Sequence, residues 1–271
     1  MANSEKQIIC IYWGTKYSAD YVNRLYGMVA RNITSPFSFT CFTDSSDNFR
    51  PEITAAPLPG LSFDLPKTKK GIWPKCRLWS AALGGLKGPV LFLDLDLVVT
   101  SNLDAFFEYG DPEDVILARN PSNPLERLGQ TSVYRFPVGK LLPLLEEFSS
   151  SPLEIAERYE YEQRYVTRNA PGGVKFWPKS WVLHFRRKCR RVFPINYFKV
   201  PKLPTGCKIV IFPGDLNPAG AIEGRYHEDE ALRTPREHIK MAFNGQRKRS
   251  LAAHLRHYIL PTGWVEQHWR E

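Results

Sequence analysis

The sequence predicts an α/β fold in which a mixed, mainly parallel sheet is flanked by helices and followed by a basic C-terminal extension. The N-terminal half alternates apolar, strand-like runs with segments of helical spacing, which is typical of a parallel sheet covered by helices. The chain has 271 residues, of which 43% are hydrophobic and 24% charged, so it is long enough to bury a large core. Disordered, collagen-like and coiled-coil classes are excluded.

The first elements form a predicted strand, helix and strand. Ile8–Trp13 is a short apolar run that ends at Gly14, and Asp20–Asn32 places its apolar residues at helical spacing. Phe37–Phe42 is predicted to be the second strand, and the proline-rich stretch Pro51–Pro66 to be a surface loop.

The most strand-like segment of the protein is Val90–Val99, which a predicted helix over Lys75–Leu83 precedes. Further strands are predicted at Val115–Ala118, Ser132–Phe136 and Lys208–Phe212, and further helices at Gly139–Phe148 and Leu153–Thr167. Because no clean linker interrupts this order, residues 1–213 are predicted to form one domain. The basic extension, residues 214–271, is expected to pack on or beside it.

Basic residues are concentrated in the C-terminal half. Residues 1–135 contain equal numbers of basic and acidic residues, so the rest of the chain carries the whole formal net charge of +9. The densest clusters are Arg186–Arg191 and Arg247–Arg249, and the second is followed at roughly helical spacing by Leu251, Leu255, Tyr258 and Ile259. These clusters indicate a solvated face, a phosphate-rich ligand or a peripheral contact with an anionic membrane.

The sequence contains no apolar run of about 18 residues, the length that spans a bilayer. Met1–Gln7 also lacks the basic and then apolar layout of a signal peptide. We therefore expect a cytoplasmic protein, with any membrane contact peripheral and at the inner face. The five cysteines are widely spaced without a Cys-x-x-Cys pair, which predicts buried, reduced thiols.

Two carboxylates, Asp94 and Asp96, interrupt the otherwise apolar segment Val90–Val99. Residues two apart on a strand project from the same face, so we expect these carboxylates side by side. Like charges in apolar surroundings need a cation to neutralise them. Mn²⁺ or Mg²⁺ meets that need, and because such ions are held by carboxylates together with substrate phosphates, a nucleoside diphosphate is the natural third party.

The segment Leu91–Phe107, which reads Leu-Phe-Leu-Asp-Leu-Asp-Leu-Val-Val-Thr-Ser-Asn-Leu-Asp-Ala-Phe-Phe, resembles the Asp-x-Asp segment of GT-A glycosyltransferases. The resemblance is strongest to family-8-like and related bacterial enzymes. Other pieces resemble the same group in the expected order, over roughly residues 8–220: Trp13–Tyr17, Tyr21–Tyr26, Cys41–Asp44, Thr131–Phe136, Glu162–Gln163 and Ile211–Pro218.

The resemblance implies a metal-assisted hexosyltransferase of bacterial polysaccharide biosynthesis. It implies a nucleotide-sugar donor, with UDP favoured, a glycan or lipid-linked acceptor, and retention of the anomeric configuration. The donor-binding residues that it implies are Tyr12, Trp13, Gly14, Lys16, Asp44, Lys75 and Asp94. Glu162 and Gln163 occupy the place of an Asp-Gln pair in the family and would position the acceptor hydroxyl.

Asp94 and Asp96 would hold the metal, but the third ligand departs from the family pattern. The family's C-terminal strand typically ends Phe-His-Gly, with that histidine on the metal, whereas this chain reads Phe-Pro-Gly-Asp over residues 212–215. Proline cannot coordinate a metal. We expect Asp215 to supply an oxygen or no third protein ligand to exist, with His184 as the less favoured alternative.

Two other function classes stay open. Asp94–Val98 also fits the Asp-x-Asp-x-Val motif of haloacid-dehalogenase-like phosphatases, although in those enzymes the motif commonly follows the first strand. Aromatic residues between basic ones would suit a nucleic-acid-binding module. Because no recognised nucleic-acid motif occurs and the carboxylate pair would have no purpose there, we expect no nucleic-acid partner.

Overall fold

The computed structural model describes residues 5–67, 72–121, 126–212, 214, 216–226, 230–247 and 249–271. The chain divides into two compact units. Unit 1 comprises Met1–Leu95 and Asn102–Lys179, and unit 2 comprises Asp96–Ser101 and Ser180–Glu271. The predicted domain boundary at residues 213 and 214 stays a prediction.

In chain order, the strands of the described residues are β1 (Lys6–Tyr12), β2 (Phe37–Thr43), β3 (Thr54–Pro57), β4 (Pro89–Leu93), β5 (Leu97–Val99), β6 (Val115–Arg119), β7 (Gly129–Pro137), β8 (Val174–Phe176), β9 (Val182–His184) and β10 (Ile209–Ile211). The α-helices are α1 (Ala19–Asn32), α2 (Asp104–Glu108), α3 (Leu142–Ser150), α4 (Pro152–Tyr159), α5 (Glu162–Asn169), α6 (Pro218–Glu223), α7 (Pro235–Phe243), α8 (Leu251–Arg256) and α9 (Gly263–His268).

Unit 1 is built on a seven-stranded sheet in the order β3-β2-β1-β4-β7-β6-β8. β1 to β4 run parallel to one another, β6 and β8 are parallel, and β7 is antiparallel to both of its neighbours. Helix α1 follows β1 because its apolar residues recur at helical spacing, and Val22, Leu25 and Met28 are buried. The predicted α/β class, with a mainly parallel sheet flanked by helices, is confirmed.

The prediction of one continuous strand over Val90–Val99 is wrong. β4 ends at Leu93, β5 begins at Leu97, and a turn between them contains Asp94 and Asp96. Aspartate side chains compete for backbone hydrogen bonds and favour turns over strand interiors. The expectation that the two carboxylates share one face of a strand is therefore also wrong, because neither residue belongs to a strand.

Three other segments differ from prediction. The predicted helix Lys75–Leu83 is a 3₁₀ helix over Trp73–Trp79. The predicted helix Leu153–Thr167 is divided into α4 and α5, because Glu160 adopts a φ of 60° and ends the first of them. The predicted loop Pro51–Pro66 contains β3, which extends the sheet from β2.

The core of unit 1 lies where the 3₁₀ helix packs against α3 and α5. Trp73 stacks on Phe148 with ring centroids 4.7 Å apart, and Tyr165 donates its hydroxyl to the carbonyl of Leu144. This packing fixes the 3₁₀ helix, which also carries Lys75. All five cysteines are buried and free, as predicted.

Unit 2 contains a three-stranded sheet in which β10 lies between β5 and β9. The helical spacing predicted behind Arg247–Arg249 is confirmed only over Leu251–Arg256, which forms α8; Tyr258 and Ile259 lie beyond its end. A membrane contact of this region would turn Tyr258 and Ile259 toward the bilayer, but both lie in the interior of unit 2, at 6% and 2% exposure. In the part of the chain that the structure describes, no helix is long and apolar enough to cross a membrane.

Candidate functional site

The candidate site lies at the carboxyl edge of the parallel strands of unit 1. β1, β2 and β4 end at Tyr12, Thr43 and Leu93 and run in the same direction, so the residues that follow them emerge at one edge of the sheet. Those residues include Gly14, Asp44 and Asp94. Ligands of parallel α/β sheets bind beyond this edge, where loops rather than strands supply the side chains.

Behind β1 and β2 the structure joins two of the predicted donor-binding residues. The Gly14 amide donates a hydrogen bond to Oδ2 of Asp44 at 3.3 Å. Gly14 adopts a φ of +66°, a left-handed conformation that glycine takes without steric cost. Both residues are exposed, so the joined loops present a carboxylate at the edge of the sheet.

The other residues predicted to contact the donor from this side lie at the end of β1 and in the loop that follows it. Tyr12 contacts the ring of Phe49, with centroids 5.8 Å apart, and Trp13 packs partly buried against the core of unit 1. Lys16 is exposed, and its Nζ lies 4.7 Å from the ring centroid of Tyr17. The loop therefore combines aromatic surface with a cation, which suits a base and a phosphate.

Behind β4, Asp94 forms an ion pair with Lys75. The distance from Lys75 Nζ to Asp94 Oδ1 is 2.6 Å, and the two side chains are 4% and 17% exposed. The 3₁₀ helix supplies the lysine, whose ammonium also lies 5.0 Å from the ring centroid of Phe92. Because a buried ammonium needs a counter-charge, this pair fixes the orientation of the Asp94 carboxylate.

Glu162, the first residue of α5, is buried beside β7. The Thr131 hydroxyl donates a hydrogen bond to its Oε1, and the Ile72 amide donates to its Oε2 at 3.5 Å. Ile72 also precedes the 3₁₀ helix and accepts from the Lys75 amide at 3.1 Å. Ile72 therefore links the two groups, because it hydrogen-bonds both to Glu162 and to the backbone of Lys75, the partner of Asp94. Gln163 is more accessible than Glu162.

Tyr134 on β7 lies within electrostatic reach of both carboxylates. Burial raises the pKa of its phenol, and the negative charges of Glu162 and Asp94 raise it further. The phenol therefore stays protonated. Sequence reasoning gave no role to Thr131 or Ile72, since their partner is 31 and 90 residues away in the chain.

Comparison with solved structures identifies the fold. The galactosyltransferase LgtC, in complex with donor and acceptor sugar analogs, superposes with a TM-score of 0.54 at 14% sequence identity. The match covers 90% of this chain and 96% of LgtC. The fold is that of the GT-A glycosyltransferases. The GT-A fold that the resemblance implies is thereby confirmed.

Two further glycosyltransferases share the GT-A fold of this chain. The bifunctional enzyme WbbM has a TM-score of 0.53 at 13% identity, over 80% of this chain and 47% of WbbM. GlyE of Streptococcus pneumoniae TIGR4 has a TM-score of 0.53 at 12% identity, over 97% of this chain and 64% of GlyE. No protein-family profile and no curated protein matches the sequence.

The metal ligands predicted from the sequence are distributed along the chain. Asp94 belongs to unit 1, Asp96 is the first residue of unit 2 and is half-buried, and Asp215 lies outside the described residues. Within those residues, no three His, Cys, Asp or Glu side chains cluster as a metal site. The donor chemistry nevertheless fits, because carboxylate oxygens are the ligands that Mg²⁺ and Mn²⁺ prefer, with substrate phosphates as further ligands.

His184, the less favoured candidate ligand, ends strand β9. It is 4% exposed, and its Nε2 has no hydrogen-bond partner in the described part of the chain. Burial lowers the pKa of this imidazole to about 4, and the charges of Arg187 and Arg186 act in the same direction. The ring is therefore neutral at pH 7.

Proposed function

We propose that this chain transfers a hexose from a nucleoside diphosphate donor, with UDP favoured, to a glycan or lipid-linked acceptor with retention of configuration. One observation carries the proposal: the Lys75–Asp94 pair lies behind a central parallel strand of a GT-A fold. The buried Glu162 accepts a hydrogen bond from Ile72, which directly precedes the 3₁₀ helix that carries Lys75. This link supports the same edge of the sheet as the reaction site. LgtC, of the same fold, holds donor and acceptor sugar analogs.

Cleavage of a sugar–phosphate bond places negative charge on the leaving diphosphate and positive charge on the anomeric carbon. Asp94 and Asp96 would hold Mn²⁺ or Mg²⁺, which when bound supplies Lewis-acid stabilisation of that diphosphate. Lys75 holds the Asp94 carboxylate in one orientation toward the donor. Lys16, exposed behind β1, adds a positive charge for the phosphates.

The nucleoside half of the donor is assigned to the loops behind β1 and β2. Asp44 presents its carboxylate to hydroxyl donors while the Gly14 amide holds it in place. Tyr12 and Trp13 supply aromatic surface on which a base can pack. The assignment places nucleoside and diphosphate along one edge of the sheet.

The acceptor hydroxyl is assigned to Glu162 and Gln163, at the start of α5. Glu162 is held by Thr131 and Ile72, so its carboxylate acts from a fixed position. Gln163 is the more accessible of the two and offers both a donor and an acceptor to a sugar hydroxyl. A preorganised group beside the reacting centre lowers the barrier without reorganising during the reaction.

A panel of nucleoside diphosphates, each with and without Mn²⁺, tests the proposal by thermal shift. A ligand present at 100 times its Kd stabilises the native state by about 2.7 kcal/mol, which raises the melting temperature by several degrees. We expect that rise for one nucleotide with Mn²⁺ and no rise for the same nucleotide with Asp94→Asn protein. Equal melting temperatures across the whole panel would contradict the proposal.

Metal affinity tests the ligand set. With carboxylates alone, and Asp215 or no protein group as third ligand, we expect millimolar Mn²⁺ binding without nucleotide, about −4 kcal/mol, and tighter binding with it. Calorimetry measures both. Micromolar binding without nucleotide would contradict this set, and its loss in His184→Ala but not in Asp215→Ala would assign the site to the histidine.

The phosphatase alternative makes a different prediction from the same aspartates. A haloacid-dehalogenase-like enzyme would form an aspartyl-phosphate intermediate during turnover, whereas a glycosyltransferase would not. Trapping that intermediate on Asp94 would replace the proposed function. The GT-A fold supports the sugar transferase.

We also propose a peripheral contact of the C-terminal basic region with an anionic membrane at its cytoplasmic face. Arg247, Arg249 and Leu251 are exposed, while Lys248 lies outside the described residues. Each basic residue near such a surface contributes about 1 kcal/mol. Vesicle co-sedimentation should therefore weaken when Arg247, Lys248 and Arg249 are all replaced by Gln, and should weaken with added salt.

A further inference from the structure

Unit 2 exposes a run of large apolar side chains, here named the apolar loop, over residues 192–200. The exposed fractions are Val192 70%, Phe193 47%, Ile195 43%, Phe198 79% and Val200 50%. Single apolar residues on a surface are ordinary, but several in one short segment mark a binding surface.

The apolar loop has a fixed base. The Lys202 amide donates to the Cys189 carbonyl at 2.8 Å, and Nε of Arg191 donates to the Val200 carbonyl at 3.1 Å. These two hydrogen bonds close the segment on itself. Its apolar residues are therefore presented by a closed loop.

Two buried side chains anchor the middle of the loop. Asn196 donates to the carbonyls of Leu255 and Tyr258, each at 3.0 Å, and the Tyr197 hydroxyl lies 2.8 Å from Nδ1 of His238. The Tyr197 ring also stacks on Tyr258 at 4.7 Å. Because the anchors hold the backbone, binding through the exposed residues costs little ordering entropy.

Helix α7, which contacts the loop, also exposes large apolar side chains. His238, which contacts Tyr197 of the loop, belongs to α7, and Ile239 and Phe243 of the same helix are 39% and 70% exposed. These two residues are four apart and lie on one helix face.

The charge around the apolar loop indicates its partner. No Asp or Glu occurs from residue 163 to residue 214, whereas residues 180–214 contain eight Lys or Arg. Arg187, Lys188, Lys199 and Lys202 are exposed beside or within the loop. Apolar side chains among cations match a bilayer interface, with acyl chains below and lipid phosphates at the level of the cations. A second copy of the chain would instead bring like charges together.

We infer that the apolar loop inserts into an anionic phospholipid bilayer, with Phe193 and Phe198 in the acyl boundary and the flanking lysines at the lipid phosphates. The inference goes beyond the proposed sugar transfer, since none of these residues is assigned to it. It also assigns insertion to a different segment from the Arg247–Arg249 region.

Co-sedimentation with phosphatidylcholine vesicles, with and without phosphatidylglycerol, tests the inference. We expect the unaltered protein to bind only the vesicles that contain phosphatidylglycerol, and Phe193→Ser/Phe198→Ser to bind them at least tenfold more weakly. Lys199→Gln/Lys202→Gln should weaken binding at low salt. Leu153→Ser, which alters an equally exposed apolar residue of unit 1, is the matched control and should bind as the unaltered protein does.

A labelled cysteine tests insertion directly. The five native cysteines are buried, so Phe198→Cys introduces an exposed thiol that an environment-sensitive fluorophore labels selectively. Its emission should shift to shorter wavelength on phosphatidylglycerol vesicles, while a label at Leu153→Cys should not shift. Both variants should keep the nucleotide-dependent thermal shift, which separates this test from that of the proposed function.

Two results would overturn the inference. One is vesicle binding by the Phe193→Ser/Phe198→Ser protein equal to that of the unaltered protein, or no binding by either. The other is a concentration-dependent dimer in sedimentation velocity that the double variant abolishes, because a second copy would then occupy the loop.

Discussion

Two lysine–aspartate pairs of unit 1 have the same Nζ–Oδ1 distance, 2.6 Å, yet differ in what else reaches the carboxylate. Asp104, paired with Lys6, also accepts hydrogen bonds from Thr34, Ser35 and Asn102. In the described ranges, the Asp94 carboxylate has Lys75 as its hydrogen-bonding or ionic partner.

The difference separates a structural carboxylate from one that can bind a ligand. An ionised carboxylate accepts about four hydrogen bonds, and the partners of Asp104 fill that capacity. They tie β1, the segment behind α1 and the start of α2 together. Burial raises the pKa of Asp104, but hydrogen bonds from Lys6, Thr34 and Asn102 outweigh it and hold that pKa well below its usual range. Remaining acceptor capacity, rather than ion-pair distance, distinguishes Asp94.

The largest effect is expected from Asp94→Asn. We expect the release of nucleoside diphosphate from the donor to fall by two or more orders of magnitude, about 3 kcal/mol of transition-state stabilisation, with the fold retained. Asp96→Asn should behave alike, and chelation by EDTA should abolish turnover. Unchanged turnover in either variant, or full activity in EDTA, would show that Asp94 does not bind the metal and the donor.

Asp104→Asn should have the opposite profile. It leaves the buried Lys6 ammonium with only the exposed carboxylate of Glu108, at 3.9 Å, as a counter-charge. The free energy of unfolding should therefore fall by about 3 kcal/mol at pH 7, measured by urea denaturation. Turnover per folded molecule should be unchanged.

The same variant gives a pH test. Because the pKa of Asp104 is lowered in the folded state, its stabilisation is complete above the ordinary carboxyl pKa of about 4 and is lost as the pH falls below it. The difference in unfolding free energy between the unaltered and Asp104→Asn proteins should narrow over that range. If the difference in unfolding free energy grew toward low pH, a group other than Asp104 would stabilise the contact between β1 and α2.

Lys6→Met should cost less than Asp104→Asn, about 1 to 2 kcal/mol of unfolding free energy, because four hydrogen bonds to Asp104 remain.

Lys75→Met should act mainly on function, raising the KM for the donor and lowering kcat as Asp94 loses its fixed orientation. Circular dichroism controls for folding. Equal kinetic losses in the two methionine variants would end the distinction between the pairs.

Among the variants of the candidate site, the smallest effect on turnover is expected from Thr131→Val, which removes the hydroxyl that donates to Glu162. Losing one hydrogen bond to a charged, buried carboxylate should destabilise the fold by about 1 to 3 kcal/mol at most and lower kcat about tenfold without changing donor affinity. Thr131→Ser keeps the hydroxyl and should restore kcat. If donor affinity fell instead, Glu162 would be assigned to the donor rather than to the acceptor.

Local pattern predicted much of the fold. Alternating strand and helix signals identified β1, α1 and β2 and the parallel sheet, and the order of motifs identified the GT-A fold. The turn at Asp94 and Asp96 was not predicted, because Leu91–Leu93 and Leu97–Val99 are equally apolar and together resemble one strand. The left-handed conformation of Glu160, which divides the predicted helix, was not predicted because glutamate is a good helix former.

The candidate site was predicted in its residue types but not in its contacts. Asp44 and Gly14 were expected at one edge, and the structure brings them together. The partners of Glu162 could not be predicted, since their separation along the chain carries no periodic signal. In the apolar loop, only the tertiary structure determines that Tyr197 is buried while its neighbour Phe198 is exposed.

Strand β5 has a consequence for the biosynthesis of the protein. Val98 pairs with Val210, 112 residues later, although the sequence on both sides of β5 belongs to unit 1. During translation, β5 therefore leaves the ribosome long before its partner does, and the closing of this ladder is a late, non-local event. A chain that stops at Lys179 would retain Leu97–Val99, fully buried in the complete protein, as an apolar strand with an unpaired edge. Such a fragment should aggregate more readily than the full chain.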